Sequence, residues 1–167
     1  EIFNEQVELC MAAKERLAGA ERVAEYRATK DFSYTSSEVA GPGWVLVGDA
    51  FGFLDPVYSS GVFLALKSGE LAADAIVDGF KTDDLSAAQL GRWSEEYRRG
   101  MKRMRELVCA FYEGFSFGKF LRKYPQFQGH ITDLLIGDLF KESVDEVFPP
   151  MTAMREEMRQ AEAASRS

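Results

Sequence analysis

Gly48-Asp49-Ala50 closes an apolar run, and Asp55-Pro56 and Ser59-Ser60-Gly61-Val62 follow it closely. These residue types suit one task. Gly48 lets the backbone turn sharply at a strand end, and Asp49 places a carboxylate there that accepts hydrogen bonds from sugar hydroxyls but repels a phosphate. A ribose or ribityl contact therefore suits Asp49. Pro56 stiffens the loop, while Ser59, Ser60, Gly61 and Val62 gather backbone N–H groups where a helix begins. There the positive end of the helix dipole favours an anion or an electron-rich ring edge.

The flanking elements have to hold this loop in place. Trp44-Val45-Leu46-Val47 has no polar residue and reads as a strand covered on both faces. The segment 50–61 reads as an ordered loop, and Val62 to Ile76 as a helix with Ser60 or Gly61 at its cap. Upstream, Phe3, Val7, Cys10 and Leu17 form one stripe of an amphipathic helix. Asp31 to Ser36 alternates as a short half-buried strand, and Gly41-Pro42-Gly43 marks a turn.

Downstream, Asp84 or Ser86 caps a long helix in which Leu90, Trp93, Tyr97, Met101, Met104, Val108, Phe111 and Phe115 recur at intervals of three or four without a break. Its other face carries Arg98, Arg99, Lys102, Arg103 and Arg105, which reads as a solvated face. The aromatic cluster from Phe111 to Phe127 serves either as core or as the lining of an aromatic substrate pocket, to which Phe111, Phe115 and Tyr58 are candidates. Another helix carries Ile131, Leu134, Leu135 and Leu139 and ends near Phe148-Pro149-Pro150. A helical tail follows from Met151, with Met154 and Met158 on a packing or partner face. His130 has no acidic or cysteine partner at ligand spacing, and no metal site is expected.

Composition narrows the function classes. With 167 residues, 46% hydrophobic and 28% charged, the chain has the profile of a globular protein with a core. The excess of 27 acidic over 20 basic residues, a formal charge of -7, disfavours nucleic acid and anionic membrane surfaces as partners. Two distant cysteines, Cys10 and Cys109, fit neither a disulfide framework nor a zinc site, so a cytoplasmic setting is the default. No apolar run reaches the length of a membrane span. The abrupt acidic start at Glu1 suggests a segment of a longer protein.

The ordered series Trp44 to Ala50, Gly52-Phe53-Leu54-Asp55-Pro56, Ser59-Ser60-Gly61-Val62 and Ser68-Gly69-Glu70-Leu71 resembles the second flavin-contacting region of FAD-dependent monooxygenase-type proteins. Within that superfamily, Asp-Pro followed by Ser-Ser-Gly, with Asp31-Phe32-Ser33-Tyr34 upstream, is most similar to the flavin-dependent halogenases. The resemblance is strong over the middle third of the chain. It implies that Gly48, Asp49, Pro56, Ser59, Ser60, Gly61 and Val62 contact FAD, with Asp49 at the ribityl region, and that the Ser60 and Gly61 peptide groups hold chloride or another halide beside the ring. The implied activity is flavin-hydroperoxide chemistry on a small organic substrate, with a flavin reductase supplying reduced FAD. The family's Gly-x-Gly-x-x-Gly fingerprint is absent from these residues, and its catalytic lysine belongs to the same missing region, so no catalytic residue is assigned and the segment alone is expected to be inactive. Tyr58 stands where tryptophan-type members carry an acid, which points to the phenol and pyrrole types or to a relative that does not halogenate.

The expected fold is therefore an α/β flavoprotein fragment, mostly α-helical with a few short strands. Residues 1–79 are assigned to the FAD-binding region and 80–167 to a helical carboxy-terminal region. Two alternatives stand beside the halogenase reading: a flavin-dependent hydroxylase or reductase that never handles halide, and a non-enzymatic helical interaction domain.

Overall fold

The computed structural model describes residues 2–27 and 33–165. The chain divides into two compact units, Glu1–Asp31 and Phe32–Ser167. In the first, α1 (Ile2–Leu9) and α2 (Met11–Leu17) replace the single amphipathic helix expected from the stripe, because Cys10 takes an extended conformation between them. Neither helix buries a residue. Tyr26 stacks obliquely on Phe3, with ring centroids 5.2 Å apart, and donates a hydrogen bond to Asn4.

The second unit begins with short antiparallel pairs. β1 (Tyr34–Thr35) pairs with β4 (Gly52–Phe53), and β2 (Ala40–Gly41) with β3 (Trp44–Val45) across the Gly41-Pro42-Gly43 turn. Two expectations change here. The Trp44–Val47 run is not a strand covered on both faces: only Trp44 and Val45 are paired, and Trp44 and Val47 stay 44% and 39% exposed. The run pairs only with Ala40–Gly41, and Trp44 lays its indole over Gly41, where a Cβ would sit only 2.3 Å from the ring. Asp31 and Phe32, the start of the other expected strand, lie outside the described residues, and Tyr34 and Thr35 alone of the rest pair.

The helices supply the core. α3 (Gly61–Thr82) is rich in strong helix formers and buries Leu64, Ser68, Ala72, Ala75 and Gly79 along one stripe. It outruns the expected end at Ile76. After α4 (Ala87–Leu90), capped by Ser86, the chain breaks at Gly91–Trp93 before α5 (Ser94–Tyr112), so the long periodic segment is two helices. Periodicity could not reveal this break, since Trp93 remains buried in step with Leu90 and Tyr97. A Cβ on Gly91 would meet the Ala87 carbonyl at 2.9 Å and Ala40 at 3.1 Å, so the break is also a close approach to β2.

Around α5 pack α6 (Phe117–Lys123), α7 (Gln128–Ile136) and α8 (Phe148–Ser165). Pro149 and Pro150 open α8 rather than ending the preceding helix, because proline fits the first turn, where an N–H has no helical partner anyway. The preceding helix already stops at Gly137, which takes a left-handed φ of 95°. Phe51, Tyr97, Met104, Leu107, Phe120, Leu134 and Val147 are fully buried and form the core's centre.

Two of the five residues in the basic stripe on α5 are not simply solvated, while Arg99, Lys102 and Arg105 are exposed as expected. Arg103 is buried and grips Asp145 through two hydrogen bonds of 2.6 Å while donating a third to the Leu139 carbonyl. Arg98 donates to the Ser36 carbonyl and lies over the Phe51 ring. A cleft of about 880 Å³ opens between α5 and α8, and no residue of 48–62 lines it. Its Arg155 and Arg159 are committed to Glu113, and its Arg103 to Asp145, so the cleft is largely a seam of ion pairs.

Candidate functional site

Gly48–Ala50 forms a 3-10 turn laid against α3. The turn is pinned from several sides. Gly48 adopts a φ of 54°, and its N–H donates to the Ser68 hydroxyl at 2.8 Å; that hydroxyl donates in turn to the Ala65 carbonyl at 2.9 Å. Tyr34 and Ser36 donate from the other side to the Asp49 and Ala50 carbonyls, at 2.6 and 2.8 Å. Ala65 lies 3.3 Å from where a Gly48 Cβ would stand, so glycine serves both the left-handed conformation and the close approach.

With its backbone held, Asp49 keeps its side chain exposed at the surface. No hydrogen bond occupies the carboxylate among those described. Its charge is nevertheless felt below. Burial pushes the Tyr97 phenol above its ordinary range, and the nearby Asp49 charge raises it further, against the lowering effect of Ser68.

The second half of the site is the Asp55–Val62 loop. Asp55 accepts a hydrogen bond from the Val57 N–H at 3.2 Å, Pro56 opens a 3-10 turn through Tyr58, and Ser59 then sits in the left-handed region at φ 55°. A non-glycine residue there carries strain of roughly 1 kcal/mol or more. Ser60 occupies the N-cap position of α3 but makes no side-chain capping bond, and its φ of -80° and ψ of -9° are helical, unlike an ordinary cap. Among the described residues no side chain accepts a hydrogen bond from the first turn of this 22-residue helix. At Gly61 nothing lies within 4 Å of the position a Cβ would take, and its φ is not positive. Neither packing nor backbone conformation within the described residues asks for glycine at this point.

The other candidates divide. Gly48, Asp49, Pro56, Ser59, Ser60, Gly61 and Val62 fall on one continuous stretch, two turns and a helix start, all beside the first half of α3. Ala65 and Ser68, the α3 residues that meet Gly48, lie four and seven positions beyond Gly61, about 6 and 10 Å of helix rise. Tyr58 and Phe111 meet edge to face with centroids 6.1 Å apart, and burial pushes the Tyr58 phenol up. Phe115 goes elsewhere, buried against Phe117 and Phe120 at 5.1 and 5.6 Å. His130 rests its edge on Phe127 and faces Glu146 at 3.9 Å. Among the described residues no group of His, Cys, Asp or Glu is arranged to hold a metal, and no helix is long and apolar enough to cross a membrane.

Two residues assigned no role from the sequence hold the loop, Ser68 from within the motif series and Tyr112 from outside it. Ser68 is fully buried in the apolar stripe of α3, and a lone hydroxyl on that stripe was the available signal. Tyr112 donates to Asp55 at 2.7 Å across 57 positions of sequence, which no local pattern announces.

Residues 11–116 match the model of the tryptophan halogenase family. The chain is 32% identical over 152 residues to the 1H-pyrrole-2-carbonyl-[peptidyl-carrier protein] chlorinase of Pseudomonas fluorescens, covering 90% of this chain and 34% of that protein. It is 42% identical over 71 residues to the corresponding brominase of Pseudoalteromonas luteoviolacea, covering 42% of this chain and 18% of the brominase. Among solved structures, the flavin-dependent brominase Bmp2 superposes with a TM-score of 0.66 at 28% identity, over 92% of this chain and 39% of Bmp2. The matched region contains the Gly48–Val62 stretch and the helix that follows it, and the chain belongs to the tryptophan halogenase family of flavin-dependent halogenases.

Proposed function

We propose that this chain supplies the carboxy-terminal wall of the FAD site in a halogenase of the phenol and pyrrole type, whose substrate is a small electron-rich aromatic. The observation that carries the reading is the open, uncapped start of α3 at Gly61, where the fold leaves room for a close approach that its own packing does not use. The residues present fit the group. Asp49, exposed on a fixed turn, accepts hydrogen bonds from ribityl hydroxyls. The peptide groups of Ser60 and Gly61, at the positive end of α3, hold a halide, while Ser59, Pro56, Gly48 and Val62 shape the wall around the ring. Bound FAD supplies the oxidising chemistry that makes the halide electrophilic, and the chain's own part is to orient, neutralise charge and exclude water.

Tyr58 and Phe111 border the substrate side of this wall. An aromatic pair in place of an acid suits a phenol or pyrrole ring, in keeping with the pyrrole-carbonyl substrates in the names of the two bacterial relatives. The full activity also requires a lysine outside this sequence and a flavin reductase as partner. The reducing cytoplasm is the compartment we assign, on the two cysteines that remain free thiols.

The test is titration of the full-length protein with FAD, using wild type, Asp49→Ala and Gly61→Ala. Gly61→Ala leaves stability within about 1 kcal/mol because the added methyl meets nothing. Both substitutions weaken FAD or halide binding by tenfold or more. Wild type that binds no FAD, or variants that bind equally well, would remove the proposal. Product formation that is independent of chloride and bromide would shift it to the hydroxylase or reductase reading.

A further inference from the structure

The left-handed Ser59 and the uncapped start of α3 can persist only if the surrounding chain determines their positions. On the α3 side, the Leu64 N–H donates to the Ser60 carbonyl at 3.0 Å, and within the turn the Ser59 N–H donates to the Pro56 carbonyl at 2.8 Å. These bonds are local and leave the loop free to move as one piece. The restraint that crosses the fold comes from the end of α5. Tyr112 donates to Asp55 Oδ1 at 2.7 Å, and that same oxygen accepts the Val57 N–H at 3.2 Å. The Tyr58 ring meets Phe111, its hydroxyl reaches toward the Leu107 carbonyl at 3.5 Å, and Phe111 meets Tyr112 edge to face at 5.6 Å. Both ends of the Asp55–Tyr58 turn are thus gripped by the last turns of one helix.

We propose that Tyr112 is a positioning residue: through Asp55 Oδ1 it sets the placement of the Ser59-Ser60-Gly61 amides. This rests on the FAD-site reading above. Tyr112 does not touch cofactor or substrate in this role; it acts through Asp55 and the turn that Asp55 caps. Two features make the assignment specific. One oxygen serves both bonds, so any side chain at 55 that keeps an acceptor at that point preserves the tether. The tyrosine is exposed, so the loss of its hydroxyl removes a restraint without opening the core.

The experiment uses the full-length protein, first without cofactor. Hydrogen exchange over residues 55–61 is compared in wild type, Tyr112→Phe, Asp55→Ala and Asp55→Asn. Tyr112→Phe and Asp55→Ala speed exchange in this segment at least threefold while the middle of α3 and α5 exchange as before. Asp55→Asn, which retains the acceptor, stays within about twofold of wild type. FAD affinity, read by quenching of flavin fluorescence, falls at least threefold in Tyr112→Phe. Unchanged exchange in Tyr112→Phe overturns the tether, and faster exchange with unchanged FAD affinity overturns the positioning role. If Tyr112→Phe fails to fold, Asp55→Ala against Asp55→Asn decides between the same outcomes. Wild type that binds no FAD overturns the site reading and the positioning role with it, while the exchange arm still reports whether the tether exists.

Discussion

Replacing Ser68 with alanine removes a single oxygen from a fully buried site and keeps the Cβ, so packing is unchanged and hydrogen bonding alone is perturbed. Two bonds are lost. The bond donated to the Ala65 carbonyl matters little, because that carbonyl lies within α3 and retains the helix's own partner. The bond accepted from the Gly48 N–H matters more, since the donor is left partly buried at a turn with a left-handed φ of 54° and Ala65 close against it. A buried donor without an acceptor costs about 1–3 kcal/mol, so Ser68→Ala is expected to destabilise the Phe32–Ser167 unit by about 2 kcal/mol. At roughly 3–4 °C per kcal/mol for a unit of this size, Tm falls by about 6–8 °C. Urea unfolding followed by the fluorescence of Trp93, which is buried against Phe51, measures the change. Ser60→Ala is the internal control. Ser60 holds an N-cap position without making the cap bond, so its loss costs less than about 0.5 kcal/mol instead of the usual cap penalty near 1. A Ser68→Ala protein within 0.5 kcal/mol of wild type would refute the claim that this hydroxyl secures the Gly48 turn.

The remaining expectations can be checked with the same preparations. Gly100→Ala drives a methyl to within 2.5 Å of the Phe140 ring, so it lowers stability by about 1–3 kcal/mol in urea; an unchanged midpoint would mean that Phe140 moves aside freely. Glu113 is held down to about 2 from the ordinary 4.5 by its hydrogen bonds to Arg155, with Arg159 adding to the effect. Its folded-state value lies below its unfolded one, so the stability it contributes is full above 4.5 and is lost as pH falls toward 2. Glu113→Gln therefore flattens the dependence of Tm on pH across that window, and a slope equal to wild type contradicts the assignment. Asp145, lowered first by its hydrogen bonds to Arg103, behaves in the same direction. Asp145→Ala leaves the buried Arg103 guanidinium without its carboxylate and costs about 2 kcal/mol, a loss that double-mutant analysis with Arg103→Met reduces.

Some of this protein could be read directly from its residues, and the boundary has a physical basis. The helix-forming composition and apolar stripe after Gly61 announced α3, and the recurrence from Tyr97 to Phe111 announced α5, because a helix is made of local hydrogen bonds and declares its buried face every three or four positions. Glycine at 48 and proline at 56 were equally legible, since they are demands on individual backbones, whereas the missing cap bond of Ser60, expected at the cap of α3, appeared only in the structure. The breaks at Cys10 and Gly91–Trp93 were not, because apolar spacing continues in phase across both. The two-residue strands were not either, for a strand exists only with its partner, and Trp44–Val45 found Ala40–Gly41 rather than a sheet that would cover both faces. Tertiary structure alone decided that Tyr112 reaches Asp55, that Arg103 is buried on Asp145 rather than solvated, and that Phe115 sits with Phe117 and Phe120 while Phe111 turns to Tyr58. Each of those choices joins elements far apart in sequence, where the energy of a contact depends on how whole helices dock and leaves no local trace.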